Sequence, residues 1–203
     1  MPYDSIKLWD VIVGVVAAPG KITPRMQELI DFCAAAIPHD EWARLRCIDY
    51  DTETSSHLKW FAGLEAAAKG QSSKGVWFGL VNPIREGKAT LDLYGATSAA
   101  YDPNGLTWAR SINRSTKRFV GSQVLGEIYS TAYATGDDSL ENDAEYPLAL
   151  GFGAMAARAI LETRPLTGFL DQIVGAAVGF DSGDFLYLGE VRDGRFIANV
   201  RGG

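Results

Sequence analysis

The twelve residues Tyr146–Ala157 carry no charge at all, and that run sets the strongest limit on how this chain can fold. A segment of this length, apolar around its whole circumference, suits a helix enclosed by other elements rather than one lying on a surface. The expected helix runs over 146–162, and Gly151 and Gly153 let neighbours approach closely at some cost in intrinsic helix stability.

The segments before it read mainly as helices. Over 4–17 the β-branched run Val11-Ile12-Val13 favours a strand, but Ile6, Trp9, Val13 and Val16 form a helical stripe, and a helix is preferred with Asp4 or Ser5 as cap and Pro19-Gly20 as terminator. Thr23 can cap a second helix with Pro24 at its first position, and Met26, Leu29, Ile30, Cys33 and Ile37 then recur at three- and four-residue spacing until Pro38. Residues 41–51 read as a strand despite imperfect alternation, and 54–69 as a helix with Phe61 and Leu64 on its buried side. Residues 76–81 and 90–94 read as strands of a hairpin around 82–88, and a further helix is expected over 117–134. The tail has three strands, 174–180, 185–191 and 196–200. They are separated by Asp181–Asp184 and by Arg192–Arg195, whose Asp193-Gly194 is a strong two-residue hairpin turn.

Helices first, hairpin-connected strands and an interrupting helix pair predict an α+β fold. The expectation is one domain over 1–203, with 1–38 a helical N-terminal part packed on it. A twisted, mainly antiparallel sheet carries helices chiefly on one face and ends in a three-stranded meander. At 203 residues the chain buries enough surface to fold without a disulfide or metal. Cys33 and Cys47 are too few for a disulfide framework and read as buried, reduced thiols.

A net charge of −6 opposes general binding to nucleic acid or to anionic membranes, which need concentrated Lys and Arg. The apolar run 11–18 lacks a positive leader and is far shorter than a bilayer span, so a cytoplasmic protein is expected. His39 and His57 fall in no metal-ligand spacing, and Gly70–Val76 lacks the lysine of a phosphate-binding loop. Nothing in the sequence calls for a cofactor.

Three charged groups remain. Residues 137–145 hold five carboxylates and no base. Asp143 and Glu145 suit the positive start of the following helix. Asp137, Asp138 and Glu141 have no such local reason and are the candidate contacts for a partner protein, a basic one in particular. The spacing of a calcium loop is absent. Asp49, Asp51 and Glu53 alternate and could converge on a metal or form an acid–base pair, whereas carboxylates carried from a frayed strand end into a loop are the plain alternative. Arg110 and Arg114, beside Lys117 and Arg118, could grip an anion, or could simply be exposed basic residues. Asp181 and Asp184 are assigned to the hairpin turn they bracket.

Five tryptophans are generous for this length, and neither Trp60-Phe61 nor Trp77-Phe78 can point both rings into one core. This supports a partner or homo-oligomeric interface, or a second covering element. The favoured reading is a non-enzymatic interaction module of bacterial-like composition, in one form an immunity-type neutraliser of a basic toxin. Its alternatives are a small metal-dependent hydrolase built on Asp49, Asp51 and Glu53, and a structural subunit of a larger assembly.

Overall fold

The computed structural model describes residues 3–105, 107–110, 112–113, 119–134, 136–163, 173–181 and 183–202, with the backbone alone described at 110, 112, 113 and 137. In chain order the elements are α1 (Ser5–Ala17), α2 (Ile22–Ala36), α3 (Trp42–Arg46), α4 (Thr54–Ala68), β1 (Gly75–Val81), β2 (Ile84–Arg85), β3 (Lys88–Ala89) and β4 (Asp92–Ser98). There follow β5 (Ile112–Asn113), β6 (Phe119–Val120), α5 (Gln123–Ala132), α6 (Asn142–Glu162), β7 (Gly175–Phe180), β8 (Phe185–Arg192) and β9 (Arg195–Gly202). The main sheet has the order β5-β4-β1-β7-β8-β9, with β6 also on β4, while β2 and β3 form a small hairpin of their own. Every pairing is antiparallel except β1 with β7, so the sheet is mixed, and β7-β8-β9 is the expected meander. Asp193 and Gly194 both have positive φ, 52° and 69°, which fits the two-residue turn joining β8 to β9.

The helices pack on one face of the sheet. Val76, Phe78 and Leu80 of β1 meet Ala176 and Val178 of β7 and the buried sides of α4 and α6 in one core. Phe61 stacks on Phe78 with ring centroids 5.8 Å apart. Helix α6 lies at the centre, touching the sheet and α1, α2, α4 and α5, and is buried almost continuously from Ala144 to Leu161. It begins four residues earlier than the sequence predicts. This puts Pro147 inside the helix, where it cannot donate to the carbonyl of Asp143. The hydroxyl of Tyr3 donates to that carbonyl at 2.7 Å and supplies the missing bond from the far end of the chain.

The C-terminus of α1 is held just as directly. Arg158 of α6 donates through Nη1 to the carbonyls of Val16 and Ala17, both at 2.6 Å, and its Nε pairs with Glu162 at 2.7 Å. Arg25 of α2 reaches the carbonyls of Ala18 at 2.8 Å and Gly20 at 3.0 Å. Last-turn carbonyls have no intrahelical donor and carry partial negative charge, so the two guanidiniums complement them. Burial, then the adjacent Arg158, lowers the pKa of Arg25.

The opposite face has its own aromatic layer. Trp77, Tyr94, Trp108 and Tyr187 form a second buried cluster joined by Tyr101 and Phe185. Its floor is made by glycines: a Cβ at Gly79 would meet the Tyr94 ring at 2.1 Å, and one at Gly175 would meet the Tyr101 ring at 2.0 Å. Gly75 faces Gly175 and Gly79 faces Gly179 in the parallel register, so the G-x-x-x-G spacing shared by β1 and β7 leaves a groove for flat rings. Trp77 is thus covered by another element rather than left exposed.

Two expected elements differ. Residues 41–51 form no strand. Trp42 and Leu45 are both buried one helical turn apart in α3, with the Trp42 indole bonded to the Ile37 carbonyl at 2.7 Å. The helix expected over 117–134 begins only at Gln123, because Ser122 caps it by accepting from the Leu125 amide at 3.0 Å. Phe119 and Val120 pair with β4 instead, and residues 117 and 118 lie outside the described residues. Among the described residues no helix is long and apolar enough to cross a membrane.

Tyr3→Phe is expected to destabilise the protein by about 1–2 kcal/mol by orphaning the Asp143 carbonyl. In a Pro147→Ala background, where an amide can serve that carbonyl, the same change is expected to cost less, as a double-mutant cycle in urea would reveal. Gly79→Ala is expected to cost about 1–3 kcal/mol through overpacking against Tyr94, measured the same way.

Candidate functional site

A cleft of about 490 Å³ opens where β1 and β7, the parallel pair, reach their carboxyl ends. Asn82 follows β1, and Phe180 and Asp184 bracket the turn after β7. Tyr129 and Tyr133 come from α5 and just beyond it, while Asn142, Glu145 and Tyr146 come from the first turns of α6. The helical spacing of Tyr129 and Tyr133 brings their rings together, tilted by 33° with centroids 4.7 Å apart, and Tyr146 stacks on Phe180 at 5.8 Å.

Glu145 is the most enclosed charged group here, 7% exposed. One carboxylate oxygen accepts from the Asn82 side-chain amide at 2.8 Å and the other from the Tyr133 hydroxyl at 2.7 Å. Its place in the first turn of α6 adds the favourable field of the helix N-terminus. Burial, then the bond to Glu145, pushes the Tyr133 phenol far above its ordinary value. Burial, then Asp184, does the same to Tyr146, so both stay neutral. Among the described residues no Lys or Arg lines this cleft.

The acidic segment runs to its rim. Glu141 precedes Asn142 with φ 46°, and its amide donates to the Ala132 carbonyl at 2.7 Å, folding the α5–α6 connection tightly. The Asp138 carbonyl accepts from His39 Nε2 at 2.8 Å; the Glu41 amide donates to Nδ1 at 3.1 Å, which fixes that tautomer. The Asp137 side chain, the Arg110 side chain and all of Arg114 lie outside the described residues.

Asp49, Asp51 and Glu53 do not converge. Asp51 caps α2 by accepting from the amides of Ile22 at 2.8 Å and Thr23 at 3.2 Å, so Thr23 is not the expected cap and Pro24 is the third helical residue rather than the first. Asp49 accepts from the Thr23 hydroxyl at 3.4 Å and the Asp51 amide at 3.1 Å. Glu53 caps α5 through the Gln123 amide at 2.5 Å and the Ser122 hydroxyl at 2.6 Å. Among the described residues no group of three or more His, Cys, Asp or Glu is placed to hold a metal ion.

Cys33 is buried and its thiol is pushed up to about 12, chiefly by burial, while Cys47 is exposed, contrary to expectation. Both are unbridged. Asp181 accepts from the Tyr94 hydroxyl at 2.5 Å and so belongs to the aromatic face rather than only to its turn. The cleft's tyrosines, Asn82 and Phe180 carried no signal in the sequence, because elements far apart in the chain bring them together. Asp184 and Glu145 were visible there but explained locally.

Comparison with protein families, with curated proteins and with solved structures yields no match to this chain. What it does must therefore be argued from its own geometry.

Two buried or capping groups give a stability signature in pH. Burial lowers the His57 pKa below its ordinary 6.5, partly opposed by Glu53, whose Oε2 lies 3.6 Å from Nε2. The unfolded chain takes up this proton first, so stability is expected to fall as pH drops below about 6.5. Burial would raise Asp51, but the bonds from Ile22 and Thr23 outweigh it and hold its pKa below 3.8. That contribution is present above 3.8 and lost as pH falls through the folded-state value. Urea titrations across pH should resolve the two windows, with His57→Phe flattening the upper one and Asp51→Asn the lower.

Proposed function

We propose that the protein is a non-enzymatic interaction module that binds a basic protein partner through the acidic face around the cleft. An immunity-type neutraliser of a basic toxin is one concrete form. The observation that carries this reading is the charge asymmetry of the cleft: Glu145 and Asp184 line it, Glu141 immediately precedes the lining residue Asn142, and among the described residues no Lys or Arg lines it. Acidic groups on such a surface steer a cationic partner during encounter, and the neighbouring tyrosines offer rigid amphipathic area for the close contact. The net charge of −6 acts in the same direction at longer range. A metal-dependent hydrolase draws no support from Asp49, Asp51 and Glu53, whose oxygens are engaged in capping helices and turns.

The test uses an arginine–glycine repeat peptide as the basic probe, with binding measured from low to high salt. Changing Asp137, Asp138 and Glu141 together to their amides is expected to weaken binding about tenfold at low salt, roughly 1.4 kcal/mol, and to flatten the salt dependence. Unchanged affinity and slope in that variant would remove the acidic segment from the mechanism.

A further inference from the structure

The cleft itself has a more specific chemistry than the acidic segment beside it. Resting on the reading that this face takes a basic partner, we propose that the cleft is a guanidinium pocket that receives one arginine side chain of that partner. Its volume of about 490 Å³ lies in the range of formed ligand pockets, roughly 300–1,000 Å³. It is also open to solvent on one side, as an inserted side chain requires.

Charge decides the sign of the ligand. Glu145 is almost wholly enclosed, yet among the described residues its only side-chain hydrogen-bond partners are the neutral groups of Asn82 and Tyr133. A carboxylate has about four acceptor sites. Two donors leave room on both oxygens for a further pair of N–H groups. Asp184, an exposed residue, adds a second carboxylate to the lining. An anionic ligand would face two like charges, and a neutral sugar would leave both uncompensated.

Shape selects guanidinium over ammonium. The lining includes four aromatic rings, Tyr146 stacked on Phe180 and Tyr133 tilted against Tyr129. A planar, weakly hydrated cation stacks on such rings while its fork of N–H donors addresses a carboxylate. A lysine ammonium is a compact and strongly hydrated charge, and it gives up more solvation to enter the same space.

The experiment titrates the full chain by calorimetry with N-acetyl-arginine N-methylamide, its lysine counterpart and its citrulline counterpart, a neutral isostere of arginine. The arginine probe is expected to bind at least about tenfold more tightly than citrulline and several-fold more tightly than lysine. Asp184→Asn, at an exposed position, is expected to weaken arginine binding about fivefold with an unchanged melting temperature, and Glu145→Gln about tenfold. Equal affinity for arginine and citrulline would overturn the pocket, as would arginine binding unaffected by Asp184→Asn or absent from the folded wild-type protein. Equal affinity for lysine would overturn its assignment to guanidinium. If the arginine–glycine peptide binds wild type and Asp184→Asn alike, the pocket fails and the interaction reading stands. If the arginine probe binds but the peptide is indifferent to the three loop amides, the acidic segment fails and the pocket stands.

Discussion

Helix α6 is enclosed by four other helices and four strands at once, and the rest of the molecule is arranged around the polar groups that this enclosure strands. A buried carbonyl without a donor is expensive, so the amide missing at Pro147 has to be answered by some other group. Tyr3 answers it across 140 residues of chain. At the other end of the helix, Arg158 is carried into the interior and can be tolerated there only because the open carbonyls of α1 receive it. One helix thereby fixes where the N-terminus, α1 and α2 must lie.

The same economy governs the other helix ends. Asp51 serves the start of α2 and Glu53 the start of α5, while two arginines serve the end of α1. Charges sit where the helix dipoles favour them, and Asp51, Glu53 and Arg158 come from distant parts of the chain rather than from the helix's own cap position. A run of alternating acids that reads as a chelating group is in fact three separate fastenings. This explains why Asp49, Asp51 and Glu53 sit so close in sequence: the loop between α3 and α4 passes the N-termini of both α2 and α5.

How far the sequence could be read follows from the range of each interaction. Helices α2, α4 and α6 and the meander were legible, because a 3.6-residue stripe or an Asp-Gly turn is a local signal, whereas α1 buries Leu8, Ile12, Val15 and Val16 and leaves Ile6 of the expected stripe exposed. Residues 41–51 were misread, since a five-residue helix offers barely one turn of periodicity and Trp42 and Leu45 fit a poor strand nearly as well. The start of α5 was placed too early because Phe119 and Val120 extend its apolar stripe, although they pair with β4. The parallel contact of β1 with β7, the glycine floor under the aromatic face and the cleft all join segments about 100 residues apart, and no local pattern reports them. The aligned G-x-x-x-G spacings in those two strands are the one trace that a reader could have used.

The acidic segment now divides by distance from the helix start. Glu145 was assigned to the dipole of α6, and that field does help to hold it, together with Tyr133 and Asn82. Those same contacts mean that most of the cost of burying the carboxylate is met when the protein folds, before any ligand arrives. A cation entering the cleft then meets a charge already stripped of water and fixed in position, with no internal lysine or arginine among the described residues to displace. Affinity gained in this way comes from preorganisation rather than from buried area. It is also what separates Glu145 from Asp138 and Glu141, which sit in the connection leading to the helix and can attract a partner without enclosing any part of it.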